Sequence, residues 1–396
     1  MLTLKRFTGI NNVTHPERLV HDPKTGTAPL VEAMNVDIDN SGEVERRAGF
    51  STVVATCHKN LWQANGFQLA TVDGDLKAIA PGGAETMIYP ALGVDRVWYT
   101  NWPDGRTTFS NGLICGITDG AARTSWGVPI PASLGAAAEV AGSLFAGKYR
   151  YRLTHVRISD GLEGGPIYSA PFDIAAGGLV LTGLPLLDGH TTNVYLTSHN
   201  DDTAYLAGNT AGSTFAFTAA NDTLVQPCKT DFMAPAPAGI LTAFWRGRAL
   251  TAVGNVLYAS KPHQWELFDL ARDFKALPDP ITLIQPVQNG IFVGTTAKLA
   301  FLAGDNFDGL VYHSRVPGAV ALGSGVTVPG KHLKRGDGSA GEGDCMVCIA
   351  GGILTAGYGD GGIAALSEGV YQTAATEVAA TFRIQGGIPQ YLAIPQ

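Results

Sequence analysis

Cysteine, histidine and charge are all scarce in this chain, and each scarcity removes a class of function. Its five cysteines (Cys57, Cys115, Cys228, Cys345 and Cys348) are odd in number and scattered, unlike the disulfide framework of a small secreted scaffold. Its nine histidines are unclustered, and no Gly-x-Ser-x-Gly elbow accompanies them, so neither a zinc site nor a Ser/His/Asp triad is suggested. Charged residues make up only 15% against 45% hydrophobic, which excludes disorder and leaves ample material for large cores. No run approaches the roughly 20 apolar residues that span a bilayer. The opening Met1-Leu2-Thr3-Leu4-Lys5-Arg6-Phe7 lacks the apolar core and cleavage site of a signal peptide. Synthesis and retention in the cytoplasm are expected, with no membrane anchor.

Acidic residues outnumber basic ones, 34 to 27, for a formal net charge of −7. A general nucleic-acid-binding surface needs clustered Lys and Arg, so it is not expected. A mildly acidic wall can still border a passing duplex, because like charges keep it from sticking.

What the chain has in excess is glycine. Fifty glycines are nearly double the average share of about 7%, and they follow no collagen period. Gly, Asn, Asp and Pro between short apolar runs signal many strands joined by tight turns. The chain reads as all-β. Met34–Ile38 alternates apolar and polar side chains, Asn40-Ser41-Gly42 is a hairpin turn, and Glu43–Arg47 is the return strand. Further strands are expected at Ser51–Thr56, Lys59–Ala64, Phe67–Val72, Leu76–Ala80, Glu85–Tyr89, Asp95–Tyr99, Thr107–Ser110 and Leu113–Thr118. Asn65-Gly66, Asp73-Gly74, Asp104-Gly105, Asn111-Gly112 and Asp119-Gly120 punctuate them as antiparallel hairpins. Four-stranded sheets of about 40 residues each, in radial series, make a β-propeller. No strict repeat accompanies the rhythm.

The composition then changes. Trp126–Ser133 is a proline-punctuated linker, and Ala146–Val156 after it alternates strictly. Asp160–Pro166 forms a turn, strands follow at Leu179–Leu184 and Asn193–Thr197, and the segment closes at Pro235–Gly239. Arg150, Arg152 and Arg157 are expected on a solvated strand face. Strand rhythm resumes at Ala243–Leu250, Asn255–Ser260 and Gly290–Thr295.

Three stretches carry a family likeness. Gly9-Ile10-Asn11-Asn12, then Met34-Asn35-Val36-Asp37 to Gly42, then Arg46-Arg47-Ala48-Gly49-Phe50, resemble the opening of tail nozzle (tail tubular B) and tail hub proteins of short-tailed bacteriophages. The motif residues are Gly9, Asn11, Asn35, Gly42, Arg46, Arg47 and Gly49. The close match covers one-eighth of the chain. Trp245-Arg246-Gly247-Arg248, Leu257–Pro262 and Trp265–Phe268 are similar to runs in phage propeller proteins. The Gly147–Tyr151 strand and the turn after it loosely resemble a fibronectin type III domain, with Gly164-Gly165 replacing the usual serine region.

The resemblance implies a structural virion protein of the tail. It has a hairpin segment (1–50) that closes the propeller by pairing with C-terminal strands. A first propeller part (51–130) precedes an inserted fibronectin III-like β-sandwich (131–238), and a second propeller part with C-terminal strands follows (239–396). It implies a homo-oligomeric ring of six around the DNA-ejection channel. Its partners are other tail proteins (adaptor, fibre or needle) and double-stranded DNA passing without sequence specificity. Trp98, Trp102, Trp126 and Trp245 are candidate interface anchors or core residues alike. The polar, glycine-rich stretch Gly330–Asp344 is either a solvated loop or a contact to a neighbouring subunit or the channel through Lys331, His332, Lys334 and Arg335.

Enzyme motifs fail on context. Gly357-Tyr358-Gly359-Asp360-Gly361-Gly362 spells a dinucleotide fingerprint, but Ile363–Gly369 is too short for the helix such a site needs. Arg335-Gly336-Asp337 matches an adhesion tripeptide by chance. Cys345-Met346-Val347-Cys348 has redox or zinc spacing, yet it lies in an apolar run that reads as a strand with buried structural thiols. Asp73, Asp75, Asp95, Asp104, Asp119 and Asp305 sit mostly in turns, and no sialidase-style Asp-box appears. No cofactor and no catalysis are expected. The alternatives are a receptor- or glycan-binding tail-tip propeller and a decorating protein of a long-tailed phage.

Overall fold

The computed structural model describes residues 6–22, 24–38, 41–47, 49, 51–52, 56–175, 177–385 and 387–396. Among them the regular elements are strands, apart from three short 3-10 turns. The fold is all-β and β-propeller-like: five antiparallel meanders of four consecutive strands follow one another, starting at His58, Trp98, Ile240, Ile281 and Val326. The chain divides into two compact units, one of residues 58–253 and 258–275, the other of residues 1–57, 254–257 and 276–396.

In the first unit, His58–Gln63, Gln68–Val72, Asp75–Ile79 and Glu85–Tyr89 form one meander. Its Asp73-Gly74 corner has φ of 52° and 87°, the double left-handed geometry that matches strand twist in a two-residue hairpin. Trp98–Asn101, Thr107–Ser110, Cys115–Thr118 and Arg123–Ser125 form the next. The third meander, from Ile240–Trp245 onward, packs against the second although the insertion separates them in sequence. Thr100 Oγ1 donates to Thr242 Oγ1 at 2.8 Å, and Ser110 Oγ to the Gly239 carbonyl at 2.5 Å. The insertion's two ends meet there, the Ala236 N–H donating to the Trp126 carbonyl at 2.8 Å.

The inserted segment is a β-sandwich. Ala136–Leu144, Gly177–Thr182 and Thr214–Phe217 form one sheet, and Ile167–Tyr168, Tyr151–Arg157, His190–Thr197 and Ala204–Thr210 the other. Leu144, Leu179, Leu181 and Phe217 from the first meet Leu153, Val194 and Leu196 from the second in one apolar core.

In the second unit, the meanders Ile281–Pro317 and Val326–Ala365 share a core of Leu283, Phe292, Leu299, Phe301, Met346 and Cys348. The expected N-terminal hairpin is present as Val36–Ile38 paired with Val44–Arg46. It forms a two-stranded sheet of its own, and the C-terminal strands Val378–Gln385 and Ile388–Pro395 pair with each other. No ladder joins hairpin to C-terminus among the described residues. The link runs instead through Asn12: its N–H donates to the Val370 carbonyl at 3.1 Å, and its amide group exchanges hydrogen bonds of 2.8 and 2.9 Å with the Gln372 backbone. Residues 51–52 and 56 of the expected Ser51–Thr56 strand are irregular, and residues 53–55 lie outside the described residues.

Candidate functional site

Each turn and motif residue can be traced to a local cause. Asp119 Oδ1 accepts the N–H groups of Ala121 and Ala122 at 2.9 and 2.8 Å, which holds its carboxyl below the usual range. Asn111 does the same for Leu113 and Ile114. These side chains close turns. The Gly-x-Gly-x-x-Gly stretch joins the antiparallel strands Ile353–Gly357 and Ile363–Ala365, not a strand to a helix. Two of its glycines are required by packing: a Cβ on Gly357 would lie 2.6 Å from Phe292 Cζ, and one on Gly361 would collide with the Phe301 ring.

Cys345 and Cys348 lie in the strand Asp344–Ala350 and are both fully buried. Three residues apart on a strand, they point to opposite faces. Cys348 packs in the Phe292–Phe301 core, and Cys345 beside Ala356 and Tyr358. Burial pushes the Cys348 thiol up to about 12. No group of three metal-ligating side chains occurs among the described residues.

The candidate loop residues separate. Lys331 and Lys334 are exposed. His332 sets its ring 5.8 Å from Phe382, tilted by 42°, with Nε2 buried. Arg335 lies 4.7 Å above the Tyr358 ring and pairs with Asp360 at 2.7 Å, while the Tyr358 hydroxyl donates to the Lys334 carbonyl at 2.5 Å. This loop is fastened to its own sheet. Arg335 chiefly, with the Gly362 N–H, holds the Asp360 carboxyl below the ordinary aspartate value. A lowered carboxylate contributes stability above the unfolded value of about 3.9 and loses it as pH falls through the lower folded value. Protection of 333–341 against hydrogen exchange, taken relative to the intrinsic rate at each pH, should therefore be high at neutral pH and fall only in acid below about pH 4. R335A should give several-fold faster exchange already at pH 7, and unchanged exchange there would refute the fastening.

The N-terminal motif residues shape the backbone. Gly9 (φ 107°) and Gly42 (φ 84°) are left-handed, and a Cβ on Gly42 would press within 2.8 Å of the Phe7 carbonyl oxygen. Asn11 Oδ1 caps the N–H of Thr14 at 2.9 Å. Asn35 adopts φ 54°, and its carbonyl accepts the Arg47 N–H at 3.1 Å. Arg47 also pairs with Asp37 at 3.2 Å, whereas Arg46 and Gly49 are exposed. Asn40, Ala48 and Phe50 of the motif lie outside the described residues.

One open alternative is decided and one expectation is corrected. Trp102, Trp126 and Trp245 are core residues, between 1% and 4% exposed. Trp102 meets Trp126 and Trp265 edge to face at 6.1 and 5.3 Å, and Trp126 meets Phe268 at 5.8 Å. Trp98 is half-buried under Arg96, 4.2 Å from its ring. Arg157 is not on a solvated face. It is odd-numbered in a strictly alternating strand, so it shares the inward side of Tyr151, Leu153 and His155, opposite Arg150 and Arg152. There it donates to Glu266 Oε2 at 2.9 Å and to Asp160 at 2.7 Å, and Glu266 Oε1 accepts from Arg106 at 2.6 Å. Glu266 thus ties the inserted sandwich to the second meander through two guanidinium groups.

Arg152 is also largely covered. Its guanidinium donates to Asp231 Oδ2 at 2.6 Å and to the Asp202 carbonyl at 2.8 Å, and lies 5.2 Å from the Tyr168 ring. Tyr168 stacks on Phe232 at 6.1 Å. The sequence drew no attention to Phe232, Tyr168, Asp231 or Glu266.

No known protein family matches the chain, and no curated protein does. Solved structures similar to it include a catalytically inactive virginiamycin B lyase from Staphylococcus aureus with quinupristin (13% identity, 83% of this chain and 85% of that one, TM-score 0.27). KlHsv2 with a replaced loop aligns at 6% identity over 86% and 90% of the chains, with a TM-score of 0.31. PorZ, a surface component of the type-IX secretion system of Porphyromonas gingivalis, aligns at 13% identity over 89% and 52%, with a TM-score of 0.24.

Proposed function

We propose that this chain is a structural protein of a bacteriophage tail, of nozzle or hub type, working as a ring of identical copies around the channel through which DNA leaves. The inserted sandwich is read as fibronectin III-like. The observation that carries the proposal is the N-terminal segment. Its motif residues resemble those of the tail family, and they sit in, flank and turn the short strands Arg6–Ile10, Val36–Ile38 and Val44–Arg46.

That segment is nonetheless well furnished with apolar side chains turned outward. Val20 and Met34 are 78% and 77% exposed, and Val13, Val31 and Val44 are exposed as well. Leu366, Val370 and Tyr371, on the segment that Asn12 holds, are also exposed. Exposed apolar side chains grouped on one segment suit a surface that a second copy covers, since obligate interfaces are apolar. The role is geometric: stiff meanders form a wall, and the N-terminal segment seals it against the neighbour.

Native mass measurement tests the reading. A particle near six times 41.4 kDa is expected. V20S/M34S, which leaves the described cores intact, should shift the distribution toward free chains by tenfold or more. A wild-type protein that stays monomeric at high concentration would end the proposal.

A further inference from the structure

The outward face of the inserted sandwich carries a constellation that virion architecture does not use. Phe232 is held at φ 63°, a conformation that a bulky side chain adopts only under constraint, and is 68% exposed. The constraint is visible. Its N–H donates to the Tyr168 hydroxyl at 3.0 Å, which in turn donates to Asp231 Oδ1 at 2.8 Å. Tyr168 is packed by the Arg152 guanidinium as well as by the Phe232 ring, 28° from coplanar with its own. A hydrogen-bonded network therefore presents a rigid aromatic platform to solvent.

Beside it lies a cavity of about 250 Å³ lined by Lys148, Tyr149, Arg150, Pro171, Asn200, Asp201 and Asp202. The two are contiguous, because the one Arg152 guanidinium bonds both the Asp202 carbonyl and Asp231. Arg150 Nη1 pairs with Asp202 Oδ1 at 2.7 Å. Asn200 accepts the Lys148 N–H through Oδ1 at 3.1 Å.

The chemistry of the lining selects the ligand. Carboxylates beside amide and guanidinium donors match hydroxyl groups, each of which both donates and accepts. Acids and bases are nearly balanced: Lys148, Arg150 and Arg152 stand against Asp201, Asp202, Asp231 and Asp173, the last paired with Lys148. That balance offers no net attraction to phosphate, sulfate or an acidic sugar. A flat aromatic face next to a polar cavity of that size fits a pyranose chain, one ring in the cavity and the next laid on Phe232.

We infer that this face of the inserted sandwich binds neutral saccharide, one ring hydrogen-bonded in the cavity at Arg150, Asn200 and Asp202 and its neighbour stacked on the Tyr168–Phe232 platform. The site is independent of ring assembly.

A printed array of neutral and acidic bacterial glycans, probed with the full-length protein, tests it, with inorganic phosphate as a competing anion. Binding to neutral hexose-containing glycans is expected, insensitive to phosphate, and reduced tenfold or more by F232A and by D202A. Both substitutions are on the surface, and F232A keeps the Cβ and with it the same left-handed constraint, so wild-type circular dichroism of both variants excludes loss of fold as the cause. F232Y should retain binding. Wild-type protein that binds no neutral glycan, binds only acidic ones, or binds equally well as F232A and D202A overturns the inference. Native mass is read on the same samples, so failure here and failure of the ring proposal are told apart.

Discussion

E266A should lose about 3–5 kcal/mol of stability, the usual consequence of removing one partner from a buried ion pair. The Glu266 side chain is 6% exposed and Arg157 7%, so neither can be rescued by water. Arg106 is 33% exposed and retains Asp104 at 2.8 Å, so the loss falls on Arg157, left with Asp160 alone. E266Q keeps the shape and one acceptor and should fall between E266A and wild type. R157M/E266L should recover most of the loss, because exchanging both charges for apolar groups of similar volume is often neutral. Urea titration followed by tryptophan fluorescence reads this directly. All six tryptophans belong to the unit of residues 58–253 and 258–275 that holds the ion network. If E266A unfolds at the wild-type midpoint, Glu266 is not the tie between insertion and meander.

F292A is expected to cost about 3–5 kcal/mol in the other unit, as truncation of a fully buried phenylalanine does. Phe292 is 0% exposed and packs at 4.7 Å on Phe301. The Gly357–Gly362 turn is built around these two rings, so the vacancy cannot be filled from that side. Far-UV circular dichroism and backbone exchange in 281–365 should show early unfolding. G357A, which pushes a methyl against the same ring, should destabilise too, by about 1–3 kcal/mol. A wild-type exchange pattern in F292A would show that this ring pair does not anchor the two meanders.

Much of this fold was legible because its information is local. Glu85–Tyr89, Thr107–Ser110 and Gly290–Thr295 are strands with the bounds expected from alternation and turn residues. Asp73-Gly74 turns as its composition dictates. The buried reading of Cys345 and Cys348 followed from the apolar run around them. The strand's own parity places Arg157 opposite Arg150 and Arg152, so alternation outweighs arginine's general preference for water at this position. The tryptophans were undecidable, since composition alone does not distinguish a core ring from an interface ring.

Other features have no local signature. The parallel pairing of Arg6–Ile10 with Thr27–Leu30 and the isolated sheet of the N-terminal hairpin depend on distant chain. Phe232 is a phenylalanine between Asp231 and Met233, and nothing in that context marks a left-handed residue. Its place is set by Tyr168, 64 residues earlier. The cavity beside it likewise unites residues 148–150, 171 and 200–202 that only the sandwich topology brings together.

The bonds at Asn12 impose a schedule. They join positions 360 residues apart, so during synthesis at about 5–20 residues per second the N-terminus waits roughly 20–70 seconds before its receptor at Gln372 exists. Closing so long a loop is entropically costly, which places this junction late in any refolding sequence as well. For that interval the segment around Asn12 lacks its partner while it carries the exposed Val13, Val20 and Met34. In a cell crowded with siblings, it is free to meet another copy before it meets its own tail.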